Sequence, residues 1–205
     1  SRIHFLYYFA GREDWYDTIK DTAVYIINGF LQEEVIGTST INISQAYNFE
    51  ERVNIFATYT KAITSVLFDG IKRGVFDTAK FDSKPELYFA RAMERDSSVE
   101  NWLRPAPTEF NITYNRGHKY EPDFVVETKD IIYLVEVKGE DKLNDPDVIA
   151  KKKRGIMYCD AVTRWCKANG YKEWQHLFIP SQQIQDTSTI ENLAQRFHVT
   201  SDTEK

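Results

Sequence analysis

The sequence predicts an α/β fold, a central mixed β-sheet flanked by helices, on three observations. From about residue 84, stretches with apolar residues at three-to-four spacing alternate with short apolar runs, in the order helix, three strands, helix, strand. The runs "DFVVE" and "IIYLVEVK" are apolar on both faces, as in strands buried between two layers. Cap and turn residues punctuate the boundaries, most clearly Asp145-Pro146 and Gly170.

The first core helix, about 84–95, is capped by Ser83 or Asp82 and presents the stripe Glu86, Phe89, Ala90 and Met93. "FNITY" reads as the first strand, "DFVVE" as the second and "IIYLVEVK" as the third. Pro146 suits a first helical position, and the helix it opens runs to about Asn169, where Gly170 stops it. Its expected buried stripe is Ile149, Ile156, Cys159, Val162, Trp165 and Cys166. "WQHLFIPS" closes the sheet, and Ser181 to Lys205 reads as a polar tail prone to fraying. Upstream lies an N-terminal α/β extension: a strand "IHFLYYF", a helix over about 14–34, a strand "TSTINIS" and a helix over about 55–71.

Composition bounds the function. The 205 residues are 42% hydrophobic and 28% charged, enough for one sizeable core and too apolar for a disordered chain. A net charge of −5 excludes a strongly basic freestanding nucleic-acid binder, though a local basic strip remains open. Cys159 and Cys166, seven apart in a helix, are separated by roughly 10 Å along its axis and cannot bridge, which points to reduced thiols and a cytoplasmic setting. No run is long enough for a membrane span, and the opening residues lack a signal-peptide pattern, so no membrane partner is expected. A chain opening on Ser1 reads as a fragment of a longer protein. Phosphate-loop and dinucleotide fingerprints do not occur, and His4, His176 and His198 have no ligand spacing.

The chemistry-bearing constellation is "YEPDFVVETKDIIYLVEVKGE". A two-residue turn at Lys129-Asp130 pairs position n with 259 minus n, which sets Asp123 opposite Glu136. Cross-strand neighbours have Cβ atoms about 5 Å apart, so the two carboxylates repel unless a cation lies between them. Oxygen ligands completed by water suit Mg²⁺. Lys138 shares the Glu136 face and can reach a water or a phosphate there. Glu86 sits on a buried stripe, where it serves as the partner of Ser83 in a capping box, lines the metal site, or both. Lys151 to Arg154 form a basic strip, with Lys152 on the buried stripe and Lys151, Lys153 and Arg154 directed elsewhere. His118 and Lys119 lie in a turn near the same site.

Glu86, Pro122-Asp123 and Glu136-Val137-Lys138 resemble the PD-(D/E)xK nuclease superfamily, whose restriction-endonuclease-like core has a similar element order. More narrowly, "FDSKPELYFARAMERDSSVENWLRP", "YEPDFVV" and "YLVEVKGE" resemble the C-terminal endonuclease domain of the Res subunit of type III restriction-modification enzymes, over about residues 60–180. That resemblance implies a connecting region over 1–80, the nuclease core over 81–182 and a tail over 183–205. It further implies Mg²⁺-dependent (or Mn²⁺-supported) hydrolysis of double-stranded DNA, in a bacterial or archaeal cytoplasm. Asp123, Glu136 and the Val137 carbonyl would hold the metal, Lys138 would orient or activate the attacking water, and Glu86 would join through a water. Lys151, Lys152, Lys153, Arg154, His118 and Lys119 would contact DNA. The implied partners are a helicase motor on the same longer chain, which uses ATP, and a Mod methyltransferase subunit, which uses S-adenosylmethionine; neither motif set occurs here. The competing readings are a repair or recombination nuclease of the same superfamily and a catalytically silent docking module.

Overall fold

The computed structural model describes residues 46–48 and 63–200, except 107, 108, 111, 115, 116 and 186. The expected elements between residues 1 and 45, and those over 49–62, lie outside the described residues. Within the expected helix over 55–71, residues Ile63–Ser65 form instead a single 3-10 turn, followed by strand β2 (Leu67–Asp69), which pairs in parallel with β1 (Ala46–Asn48).

Helix α1 (Lys84–Arg95) starts where its cap chemistry places it. The Ser83 side chain accepts from the Glu86 backbone N–H at 3.4 Å, and the Glu86 carboxylate reaches back to accept the Ser83 hydroxyl at 2.8 Å and the Asp82 N–H at 3.0 Å, a variant of the capping box in which the residue before the cap supplies the backbone donor. Strand β3 (Val99–Leu103) follows; it was not among the expected strands. "FNITY" contains strand β4 (Ile112–Tyr114), which among the described residues stands outside the main sheet and pairs with β5 (His118–Tyr120), so His118 and Lys119 are strand residues and not turn residues.

The hairpin of β6 (Phe124–Thr128) and β7 (Ile131–Lys138) has the expected register, Phe124 opposite Val135 and Glu127 opposite Ile132. Lys129-Asp130 is not a favoured tight turn, but Thr128 secures it: its Oγ1 donates to the Ile131 carbonyl at 2.9 Å and accepts from the Ile131 N–H at 3.2 Å. Helix α2 (Pro146–Asn169) carries the chain across to β8 (Glu173–Pro180), parallel to β7. Asp145 caps its start, and Gly170 ends it at φ 74°, in the left-handed region that favours glycine.

The expected polar tail forms further elements in its described part. Thr189 caps helix α3 (Ile190–Phe197), which buries Ile190, Leu193 and Ala194, and β9 (His198–Val199) pairs antiparallel with β8. The sheet order is β3-β6-β7-β8-β9, antiparallel except at β7-β8. The Arg73–Val75 segment covers the β3 edge through Val75 N–H to Trp102 O, 2.9 Å, and Trp102 N–H to Arg73 O, 3.0 Å.

Two apolar layers sandwich this sheet. Val135, Val137, Leu177 and Ile179 face one layer with Phe89 and Met93 of α1 and Leu193 of α3. Ile132, Leu134 and Trp174 face the other, with Tyr120 of β5 and Tyr158, Cys159, Val162 and Cys166 of α2. Along α2, Val148 takes the buried position expected for Ile149, which is 37% exposed; Tyr158 is buried as well, and Trp165, expected to be buried, is only partly so. Both cysteines are buried and free. Among the described residues, no helix is long and apolar enough to cross a membrane.

Candidate metal centre

Strand alternation puts Glu136 and Lys138 on the α2 side of the sheet, together with Leu134 and Ile132. One step beyond the Phe124–Val135 pair, the same register sets Asp123 opposite Glu136. The Asp123 carboxylate is tied to the partner strand, because its Oδ2 accepts the Val137 N–H at 2.7 Å. Glu136 is 3% exposed; its Oε1 meets Lys138 Nζ at 2.6 Å, while its Oε2 is buried without a hydrogen-bond partner. An orphaned, buried carboxylate oxygen is costly, and a bound cation would offset that cost.

The electrostatics agree with that reading. Burial raises the Asp123 pKa well above the usual carboxylate range, the Glu136 charge raises it further, and Lys138 and the Val137 N–H oppose the rise. Burial also raises Glu136, against the lowering effect of Lys138. For Lys138, burial disfavours the charged form, but the charges of Glu136, Asp123 and Glu86 outweigh it and hold its pKa above the ordinary value. One ammonium therefore faces two carboxylates, the buried Glu136 and the half-buried Asp123.

Lys138 also lines a cleft of about 600 Å³ with Glu86, Val137, Asp145, Asp147 and Lys151, so the cleft and the acid pair meet at Lys138. Glu86 forms one wall, but its oxygens are committed: besides Ser83, the Asp82 N–H donates to Oε2 at 3.0 Å and Arg104 Nη2 pairs with it at 3.0 Å. Arg104 also pairs with Asp82 at 2.6 Å. Capping and ion pairing account for Glu86, and its charge still reaches Asp123 and Lys138. Among the described residues, no three His, Cys, Asp or Glu side chains converge as a metal cage. The donor set is thus two carboxylates, with backbone, water or substrate oxygens left to complete an octahedron, which fits Mg²⁺ or Mn²⁺ and not a closed structural zinc site.

The basic strip is distributed differently from the expectation. Lys151, expected to point away, lines the cleft: its Nζ pairs with Asp147 Oδ2 at 2.9 Å and lies 5.6 Å from the Tyr114 ring centroid, and its charge lowers the Glu136 pKa. Tyr114 donates to Asp147 Oδ1 at 2.8 Å and stands 5.9 Å from the His118 ring, which places His118 at this mouth. Lys152, expected to aim at the acids, sits with its Nζ 5.8 Å from the Phe178 ring centroid. Phe178 is the β8 residue beside Glu136. Lys153 and Lys119 are exposed, and Arg154 Nε donates to Thr113 O at 2.8 Å, pinning α2 to β4.

Two residues beneath the acid pair were missed. Tyr120 and His176 are each 1% exposed, and their Oη and Nε2 lie 3.2 Å apart. His176 stays neutral, its pKa lowered to about 3 by burial and by the nearby Lys152 and His198 charges. Gly155 makes room for it: a Cβ there would collide with His176 Nε2. A mid-helix glycine costs roughly 1 kcal/mol relative to alanine, and the imidazole is what requires it. The lone sequence signal was a glycine inside an otherwise helical pattern.

No protein family matches the chain, and no curated protein matches it.

Proposed function

We propose that this chain is a metal-dependent DNA endonuclease domain with a restriction-endonuclease-like core, which hydrolyses phosphodiester bonds of double-stranded DNA as part of a type III restriction enzyme. The observation that carries the reading is the orphaned Glu136 Oε2 beside Asp123, on one face of the central hairpin and joined to an open cleft by Lys138. The cytoplasmic setting, the helicase motor and the Mod subunit rest on the sequence resemblance.

Asp123 and Glu136 would hold Mg²⁺, with the Val137 carbonyl as a further oxygen. Bound there, the ion supplies charge neutralisation at the phosphate and a more acidic water. Lys138 contributes a second positive charge at the cleft and, once the metal shares Glu136, an ammonium free to orient the attacking water. Lys151 and His118 at the mouth, with exposed Lys153 and Lys119, suit a phosphate backbone better than a base edge, since they offer charge without planar, bidentate recognition. Glu86 shapes the cleft wall and keeps the local field negative.

The test is cleavage of a plasmid carrying the recognition site by the reconstituted Res–Mod complex with Mg²⁺ and ATP, comparing wild type with Asp123→Ala and Glu136→Ala. Loss of nicking and cutting in both, with ATP turnover retained, supports the assignment; cutting by either variant refutes it. The 2.6 Å Lys138–Glu136 ion pair favours a second reading, a docking module whose acid pair is structural. On that reading both variants lose stability in metal-free buffer.

A further inference from the structure

We propose that Tyr114 is a positioning residue for Lys151: its hydroxyl fixes the Asp147 carboxylate, the carboxylate fixes the Lys151 ammonium, and the ammonium is held toward a backbone phosphate of the DNA in the cleft beside Lys138. This inference rests on reading that cleft as the DNA-cleaving site.

Lys151 and Asp147 are four apart on α2, with side chains 28% and 51% exposed. Ion pairs of this kind are held loosely and add little order by themselves. Here a third group changes that. Tyr114, 8% exposed, donates its hydroxyl to Asp147 Oδ1 at 2.8 Å, while Oδ2 pairs with Lys151 Nζ at 2.9 Å. Each carboxylate oxygen thus has its own partner, and the group cannot turn without breaking one of these two contacts. The Tyr114 ring is a second restraint on the lysine, its centroid 5.6 Å from Nζ. An ammonium has three protons. Asp147 and the ring engage two directions, which leaves the third for an anion, and Lys151 lines the same cleft as Lys138.

Tyr114 is itself firmly placed. It ends β4, opposite His118 of β5, and the carbonyl of its neighbour Thr113 accepts from Arg154 Nε at 2.8 Å. Asp147, Lys151 and Arg154 follow at i, i+4 and i+7 on α2, which is one helical face, so that face grips the end of β4 at successive turns. Asp147 is anchored from the helix cap as well, because its N–H donates to Asp145 Oδ1 at 2.8 Å. A staple between hairpin and helix needs only Arg154 and the Thr113 carbonyl. The Tyr114 hydroxyl goes instead to the acid that holds a lysine in the cleft.

The experiment is a fluorescence-anisotropy titration of a labelled DNA duplex with the 205-residue chain over a range of salt, with Ca²⁺ in place of Mg²⁺ so that binding is read without cleavage. Wild type, Tyr114→Phe, Lys151→Ala and the double variant are compared; the Phe variant keeps the ring and loses only the hydroxyl. Thermal midpoints are measured alongside, and proton exchange of the Lys151 ammonium is followed by NMR in the DNA-free protein. Lys151→Ala should reduce the salt slope by about one unit. Tyr114→Phe should weaken binding about 3- to 10-fold, speed ammonium exchange by a comparable factor, and add nothing in the Lys151→Ala background. A loss that persists in the double variant marks Tyr114 as merely structural and overturns the proposal. So does wild-type affinity in a folded Tyr114→Phe protein, while the Lys151 contact stands. Should Tyr114→Phe fail to fold, Asp147→Asn, which keeps an acceptor for the hydroxyl and loses the charge that holds the ammonium, decides by the exchange rate: an unchanged rate overturns the chain. An unchanged salt slope in Lys151→Ala removes Lys151 from the DNA contacts and this inference with it, without touching the metal site. If wild type binds no duplex, the DNA-cleaving reading and this inference fall together.

Discussion

Two buried glutamates in this protein meet opposite fates. Glu94 on α1 is 7% exposed and fully engaged: its oxygens accept the Lys72 N–H at 2.6 Å, the Arg73 N–H at 3.0 Å and the Trp102 Nε1–H at 2.9 Å. It clamps the segment that covers the β3 edge. Glu136 is as deeply buried, has one ammonium on one oxygen and leaves the other bare. Burial alone therefore does not mark a functional carboxylate. The difference lies in whether the fold supplies enough donors, and at Glu136 it supplies too few.

The largest expected effect breaks the satisfied side. Glu94→Ala strands the Trp102 indole N–H and two backbone donors, and should cost about 3 kcal/mol, a fall of roughly 10 °C in the thermal midpoint for a chain this size. A fall below 2 °C would show that Glu94 is no clamp. Next comes Gly155→Ala, which improves helix propensity yet drives a Cβ into His176; it should destabilise by about 1–3 kcal/mol, and a stabilised protein would mean that the imidazole has room to move.

The unsatisfied side should respond with the opposite sign. Asp123 and Glu136 have folded pKa values raised above their unfolded ones, so the folded protein binds more protons than the unfolded chain as pH rises past about 4, and metal-free stability falls through that window. Asp123→Asn removes one partner of the repulsion and should raise the metal-free midpoint at pH 7 by roughly 2–4 °C, with the gain shrinking toward pH 4. A loss of stability at pH 7 would assign the acid pair a structural role. His176 runs the other way. Its folded pKa of about 3 lies below the unfolded value of 6.5, so its contribution is complete above pH 6.5 and is lost on acidification; His176→Phe should flatten that acid limb. The smallest effect belongs to Lys153→Ala, which should weaken DNA binding and reduce the salt slope by about one unit, without changing stability. An unchanged slope would return Lys153 to the solvated surface.

How much of this was legible in the sequence follows from the range of each interaction. Helix α2 has the bounds that Asp145-Pro146 and Gly170 announce, because caps and stops act within a few residues. The β6-β7 register was readable because Thr128 and Ile131 close the turn locally, and the Asp123–Glu136 opposition follows from that register alone. Strand β3 was not readable: "VENWL" lacks alternation, and pairing with β6 and with the Arg73–Val75 segment makes it a strand. Helix α3 carried a signal in Ile190, Leu193, Ala194 and Phe197 after the Thr189 cap, diluted by the polar residues around it. The Tyr120–His176 contact spans 56 positions and has no local pattern at all. Lys151 and Lys152 exchange their expected roles because α2 lies against β4 and β8 together, which a one-dimensional stripe cannot show.

The central claim is that Asp123 and Glu136 form one cation site. It is tested most directly by titrating Mg²⁺ and Mn²⁺ calorimetrically into the metal-free chain and into Asp123→Asn. Saturable binding in wild type that disappears in the variant is the result this account predicts. Equal binding in both proteins, or none in wild type even with a DNA duplex present, would contradict it.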